Sequence, residues 1–262
     1  MEALIFTAIA IFCISLIFSM FGRGGGEFYL PTIISIVGIP FYTAASVSLF
    51  LIFVQGASMV FVYSVKNKLL DWKLAFVLAA TVAAASFSGG FVSYGISPIY
   101  LKVLFAVFLL ISAYFMLKNK NISIREGAFG VWHREFAGGS YYVNLLYIIP
   151  PVALAGFAAG MIGISGCGLI IPICILLGAV PLRIAMGTNT FLVLASSSMS
   201  FLGHALHGGV EWKLCLILGA TVILGSQIGS RMHAKVDEKF LKLGFVVILV
   251  VAAGWMIAKI FV

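Results

Sequence analysis

The stretch GRGGGEFYLP, residues 22–31, puts two charges and three glycines where apolar side chains would be expected. Arg23 and Glu27 flank Gly24, Gly25 and Gly26, directly after the apolar run 3–21. Arginine is a permanent cation with five N–H donors. Glycine, having no Cβ, lets backbone N–H groups come close to a ligand. A helix that starts at such a turn adds unpaired N–H groups and the positive end of its dipole. Together these features bind anions. Arg23 either contacts the anion or snorkels toward the interface. Glu27, four residues on, either pairs with Arg23 or carries a coupled proton.

A second stretch, GISGCGLIIP at residues 163–172, repeats the design 141 residues later. Gly166, Cys167 and Gly168 follow its first glycine, and Pro172 stands where the first copy has Pro31. The charges are not repeated, since Ile164 and Gly168 occupy the places of Arg23 and Glu27. If the two N-terminal helix ends face each other they form an anion cradle; the competing reading is that the glycines only permit close helix packing. Downstream, PFYTAASVSLF and PLRIAMGTNTF begin the next segments. Ser46 and Ser48 align with Gly187 and Asn189, and Thr188 lies between the latter two. Polar groups at one register in both copies either donate to an oxyanion or bond between helices. Arg183 is a further charged candidate, with an interfacial role as its alternative.

Composition says what must position these residues. The chain is 63% hydrophobic and 9% charged, with mean hydropathy +1.19. Soluble domains carry about 25% charged residues, so this chain has too few to cover a water-facing surface. Its apolar runs approach the roughly 20 residues a spanning helix needs, and they are continuous rather than alternating, which argues against a barrel. The expectation is an all-α polytopic protein of the cell (inner) membrane. The N-terminus lacks a basic leader region, so residues 3–21 are expected to be a retained helix. The net charge of +8 lies mostly in loops, where it sets topology rather than binding nucleic acid. Cys13, Cys167, Cys174 and Cys215 form no CxxC and no Cys/His cluster, so neither a disulfide framework nor a metal site is expected, and no motif implies a cofactor.

The repeat runs through the chain. Shifted by 141, Gly22 falls on Gly163, Pro40 on Pro181, and Phe50-Leu51 on Phe191-Leu192; shifted by 140, Asp71-Trp72-Lys73-Leu74 falls on Glu211-Trp212-Lys213-Leu214. Two homologous halves, 1–117 and 141–262, are therefore expected, joined by a polar cytoplasmic linker, 118–140. Each half holds about four spans plus one short piece, 28–37 in the first and 168–178 in the second, bounded by glycine and proline. Lys66, Lys68 and Lys73 follow the third piece of the first half, whereas Arg231, Lys235, Lys239 and Lys242 follow the fourth piece of the second. With Lys118, Lys120, Arg125 and Arg134 of the linker, all lie on one side if the halves are inverted. Inverted repeats with paired interrupted helices point to a secondary transporter with its site near the midplane. Alternatives are a passive anion channel, a permease for another small anion and, more remotely, an intramembrane serine protease with Ser165 as nucleophile and His204 or His207 as base.

The two glycine-rich turns, each followed by proline, with GIPFYTAAS and GAVPLRIAMGTNT downstream, resemble the sulfite exporter TauE/SafE family of membrane transporters. AMGTNT is similar to its second-half A-x-G-T-S motif, and GSQIGSRM to its later glycine-rich helix. Two positions depart from the pattern: Cys167 replaces a usual glycine, and Arg23 interrupts the first glycine run. The resemblance implies export of sulfite or an organosulfonate. The substrate-binding set would be Arg23, Gly24, Gly25, Gly26, Ser46, Ser48, Gly166, Cys167, Gly168, Thr188 and Asn189, with Glu27 and Arg183 as coupling or charge-pair residues. Partners would be the small anion and the lipid bilayer, and a homodimer is compatible.

Overall fold

The structure, a computed structural model, describes residues 2–93, 98–117, 129–162, 167–206 and 209–258. The first run of helices is α1 (Glu2–Met20), α2 (Gly26–Val37), α3 (Phe41–Phe61), α4 (Trp72–Val92) and α5 (Pro98–Leu117). A hairpin follows, β1 (Val131–Phe136) and β2 (Gly139–Asn144), and then α6 (Leu145–Ile162), α7 (Cys167–Leu176), α8 (Leu182–Ala205), α9 (Trp212–Met232) and α10 (Glu238–Ala258). Five stretches among the described residues are long and apolar enough to cross a membrane: Glu2–Met20, Phe41–Lys66, Trp72–Val92, Leu145–Ile162 and Trp212–Lys235. The expected short pieces are α2, with 12 residues, and α7, with 10. At 1.5 Å per residue neither covers a hydrocarbon core about 30 Å thick.

Local chemistry sets the ends. Asp71 caps α4, its carboxylate accepting from the N–H groups of Lys73 (3.1 Å) and Leu74 (3.3 Å). Gly38 closes α2 in the left-handed conformation, φ 74°, with its N–H on the Ile34 carbonyl. The antiparallel hairpin departs from the all-helical expectation. It pairs Val131 with Asn144 through Phe136 with Gly139, and α6 begins directly after it at Leu145.

Helix packing is symmetric in pattern. α1 packs on α9 and α6 on α4; α3 packs on α9 and α8 on α4; α2 lies against α1 and α3 as α7 lies against α6 and α8. α3 meets α8 and α5 meets α10. Where α3 crosses α8, a Cβ on Gly56 would lie 2.8 Å from the Leu194 nitrogen, so glycine sets the approach of the two backbones.

The contacts also order the helix ends. At one end the Tyr63 hydroxyl, in the last turn of the third segment, donates to the Ser19 and Met20 carbonyls at the end of α1 (2.9 and 3.0 Å). Asn67 Nδ2 donates to the Ser230 carbonyl near the end of α9 (3.1 Å), and Arg134 pairs with Asp71 at the start of α4. The basic residues Lys66, Lys68 and Arg231 therefore share this end with the hairpin. At the other end His204, in the last turn of α8, reaches the Gly160 carbonyl at the end of α6 (3.0 Å). So α1 and α3 finish where α4 starts, while α6 and α8 finish at the opposite end.

Candidate functional site

The first break is built around Gly22. Its φ of 65° lies in the left-handed region, and a Cβ there would overlap the Met186 carbonyl oxygen, so only glycine fits. Asn189 Nδ2, from the first turns of α8, donates to the Gly22 carbonyl (2.8 Å). Arg23 follows and is fully buried, with its guanidinium 5.0 Å from the ring centre of Phe245 on α10 and 5.7 Å from that of Phe18 on α1. Its Nη2 pairs with Glu27 Oε1, which holds the cation at the first turn of α2. Nε and Nη1 of Arg23 have no acceptor among the described residues. Phe28 and Tyr29 N–H already bond to the Gly25 carbonyl, which leaves those of Gly26 and Glu27 without an intrahelical acceptor. One cation with two unfilled donors thus sits beside an open helix N-terminus.

Gln55 of α3 fixes this turn. Its Oε1 accepts from the Gly25 N–H (3.0 Å) and the Tyr29 hydroxyl (2.9 Å), and its Nε2 faces Ser19 Oγ (2.8 Å), the Arg23 carbonyl (3.2 Å) and the Ser15 carbonyl (3.3 Å). The N–H donor on one side and the carbonyls on the other permit only this amide orientation. Sequence reading passed Gln55 over, although a lone amide inside an apolar helix is a signal and its place under the 141-residue shift is polar Ser196.

The other expected residues divide. Gly24, Gly25 and Gly26 are buried in the break with Arg23 and Glu27, and Asn189 joins them through the Gly22 carbonyl. Asn189 Oδ1 and Ser48 Oγ are buried without partners among the described residues. Ser46 bonds back to the Tyr42 carbonyl of its own helix (3.1 Å). Thr188 accepts from the Asp71 N–H (3.2 Å), and Arg183 donates to the Val236 carbonyl (2.6 Å), so both hold loops at the basic end. Gly166 lies outside the described residues; Cys167 and Gly168 open α7.

Two further polar devices were missed in the sequence. Asp71, read as a loop carboxylate, is buried and takes Arg134 Nε (3.0 Å), Arg134 Nη2 (2.6 Å) and the Tyr141 hydroxyl (2.7 Å) from the hairpin. Burial would lift its carboxyl, but the hydrogen bonds from Arg134, Tyr141 and the Leu74 N–H hold it below the ordinary aspartate value. The second device is the contact of Tyr63 with the end of α1 and of His204 with the end of α6. Tyr63 and His204 stand 141 apart, as do the carbonyl bearers Ser19 and Gly160.

Residues 7–256 of the chain match the family described as sulfite exporter TauE/SafE. The chain belongs to the TauE/SafE family. It is 29% identical over 234 residues to the probable membrane transporter protein YunE of Bacillus subtilis (strain 168), covering 84% of this chain and 85% of the relative. A probable membrane transporter protein of Methanocaldococcus jannaschii is 26% identical over 250 residues, 88% of this chain and 87% of its own length. The sulfite exporter TauE/SafE family protein 1 of Arabidopsis thaliana is 33% identical over 115 residues, 44% of this chain and 25% of its own length. No solved structure matches at a comparable level. This TauE/SafE protein is accordingly a multi-pass membrane transporter and not an enzyme, which sets aside the protease alternative. Its candidate base His204 is engaged with the Gly160 carbonyl.

Proposed function

We propose that this TauE/SafE protein is a secondary transporter that exports a small sulfur oxyanion, sulfite or an organosulfonate, by alternating access. The observation that carries the reading is Arg23: fully buried, held at the N-terminus of a half-helix, and left with two N–H donors unfilled among the described residues. A trigonal or tetrahedral oxyanion presents several acceptor oxygens and suits such a fork. Gly26 and Glu27 N–H at the N-terminus of α2 supply further donors, and the Ser48 hydroxyl, unpaired among the described residues, is a candidate contact.

The chain reads as two inverted halves, 1–117 and 141–262, with the basic end in the cytoplasm. The exchange-symmetric helix packing and the opposite courses of α1 and α6, and of α3 and α8, support this. Rocking one half against the other would open the central α3–α8 region to each side in turn. Binding of sulfite, sulfoacetate, taurine, thiosulfate and a carboxylate control to purified protein tests the reading. Sulfur oxyanions should bind and Arg23→Ala should abolish their binding. Unchanged affinity in that variant would remove Arg23 from the site; preference for the carboxylate would overturn the substrate class.

A further inference from the structure

The Arg23–Glu27 pair carries a consequence for what travels with the anion. A guanidinium is a permanent cation under physiological conditions. The described ionic partner of Arg23 is Glu27, and both are almost wholly buried. Among the described residues Glu27 pairs with Arg23, the Tyr29 phenol one turn into α2 is bonded to Gln55, and Tyr63 and His233 meet the Met20 carbonyl at the other side of the break. Around the pair, α1 contributes Ser15, Ser19 and Phe18, α3 contributes Gln55, and α10 contributes Phe245, none of them ionic. The pair is therefore neutral as a unit.

Adding an anion to this unit without any other change leaves one excess negative charge in a desolvated interior, which is costly. The anion and the Glu27 carboxylate would compete for one guanidinium. The cost vanishes if Glu27 takes up a proton as the anion arrives: the cation then pairs with the anion, and the carboxylic acid is neutral. Resting on the reading of Arg23 as the anion's ligand, we propose that Glu27 is the coupling residue and that one proton accompanies each monoanion in the same direction, so that the loaded site is electroneutral. Export by such a site is driven by the anion's own accumulation, and it proceeds when the inward-to-outward anion ratio exceeds the opposing proton ratio. A site without Glu27 would instead carry a net charge that changes on loading, and membrane potential would act on it.

The test uses purified full-length protein in sealed liposomes, with methanesulfonate as probe because this strong-acid anion brings no proton of its own. An internal pH dye reports protons, and a potassium–valinomycin clamp sets the voltage. Wild-type protein should carry methanesulfonate and protons in the same direction, close to one for one, at a rate indifferent to voltage. Glu27→Gln should move methanesulfonate without protons and become voltage-dependent. Wild-type methanesulfonate flux with no proton movement, or with protons moving the opposite way, overturns the coupling and leaves the anion site standing. Absence of any Arg23-dependent flux of methanesulfonate or sulfite overturns the site itself and the coupling with it. The wild-type measurement decides without the variant, so poor folding of Glu27→Gln does not protect the proposal.

Discussion

Two buried ion pairs lie among the described residues of this transporter, and they are finished differently. At the basic end, Asp71 accepts from two nitrogens of Arg134, from the Tyr141 hydroxyl and from two N–H groups of the α4 first turn. At the first break, Arg23 meets one oxygen of Glu27 and leaves two of its own nitrogens without acceptors among the described residues. A buried charge is tolerated when its hydrogen-bonding capacity is filled. The Asp71 pair meets that condition and reads as a fastening of hairpin to helix. The Arg23 pair does not, and unfilled buried donors are costly unless a ligand completes them. The contrast separates a structural pair from a receptive one by counting their hydrogen bonds.

The comparison breaks most sharply at Arg23. Arg23→Gln removes charge-assisted bonds of about 1.5–3 kcal/mol each, and sulfonate affinity should fall roughly a hundredfold or more, as read by calorimetry. Asp71→Asn should leave that affinity nearly unchanged yet cost about 3–5 kcal/mol of stability, because Arg134 keeps its charge without its partner. Thermal unfolding in detergent reads this, and equal effects of the two variants on binding would erase the distinction.

The same pair has a pH signature. The Asp71 carboxyl is lowered in the folded state, so its contribution is fully present above the ordinary value of 3.8 and is lost as pH falls through the folded value. Melting temperature should therefore drop less steeply below that pH in Asp71→Asn than in wild type. Gln55→Leu strips the acceptor from the Gly25 N–H and the Tyr29 hydroxyl, with an expected cost of about 1–3 kcal/mol per orphaned group. Its anion affinity should also weaken because the break loses its anchor; intact affinity would show that the turn holds its shape unaided. The smallest effect is expected for Tyr63→Phe, about 1 kcal/mol in stability, from the bond to the end of α1.

The sequence read unevenly for physical reasons. Glycine and proline punctuate the chain wherever a helix stops in lipid, so the short pieces near α2 and α7 were legible, as were the spans between them. The Arg23–Glu27 pair was legible because two opposite charges four residues apart in an otherwise apolar stretch are within reach of each other. Asp71 was not, because its partner Arg134 lies 63 residues away in a polar stretch with no strong strand pattern. Thr188 and Arg183 were noticed as polar residues of the right register, but register does not say whether a side chain faces a cavity or a loop. Gln55 was hidden by attention to charge, and Tyr63 with His204 by the difference between their side chains.

The packing of α1 on α9 has a consequence for how the protein is made. A Cβ on Gly225 would overlap Ser15 Oγ, and one on Gly229 would overlap the Leu16 carbonyl, so α9 is shaped to receive α1. Yet α1 leaves the ribosome first and α9 next to last among the described helices, with most of the chain synthesised between them. The face of α1 that those glycines receive must therefore wait in the bilayer, against lipid, until α9 arrives. Neither run of five helices can complete its packing by itself, because α1 packs on α9 and α6 on α4, so truncation after the first five helices should yield a chain that inserts but does not settle.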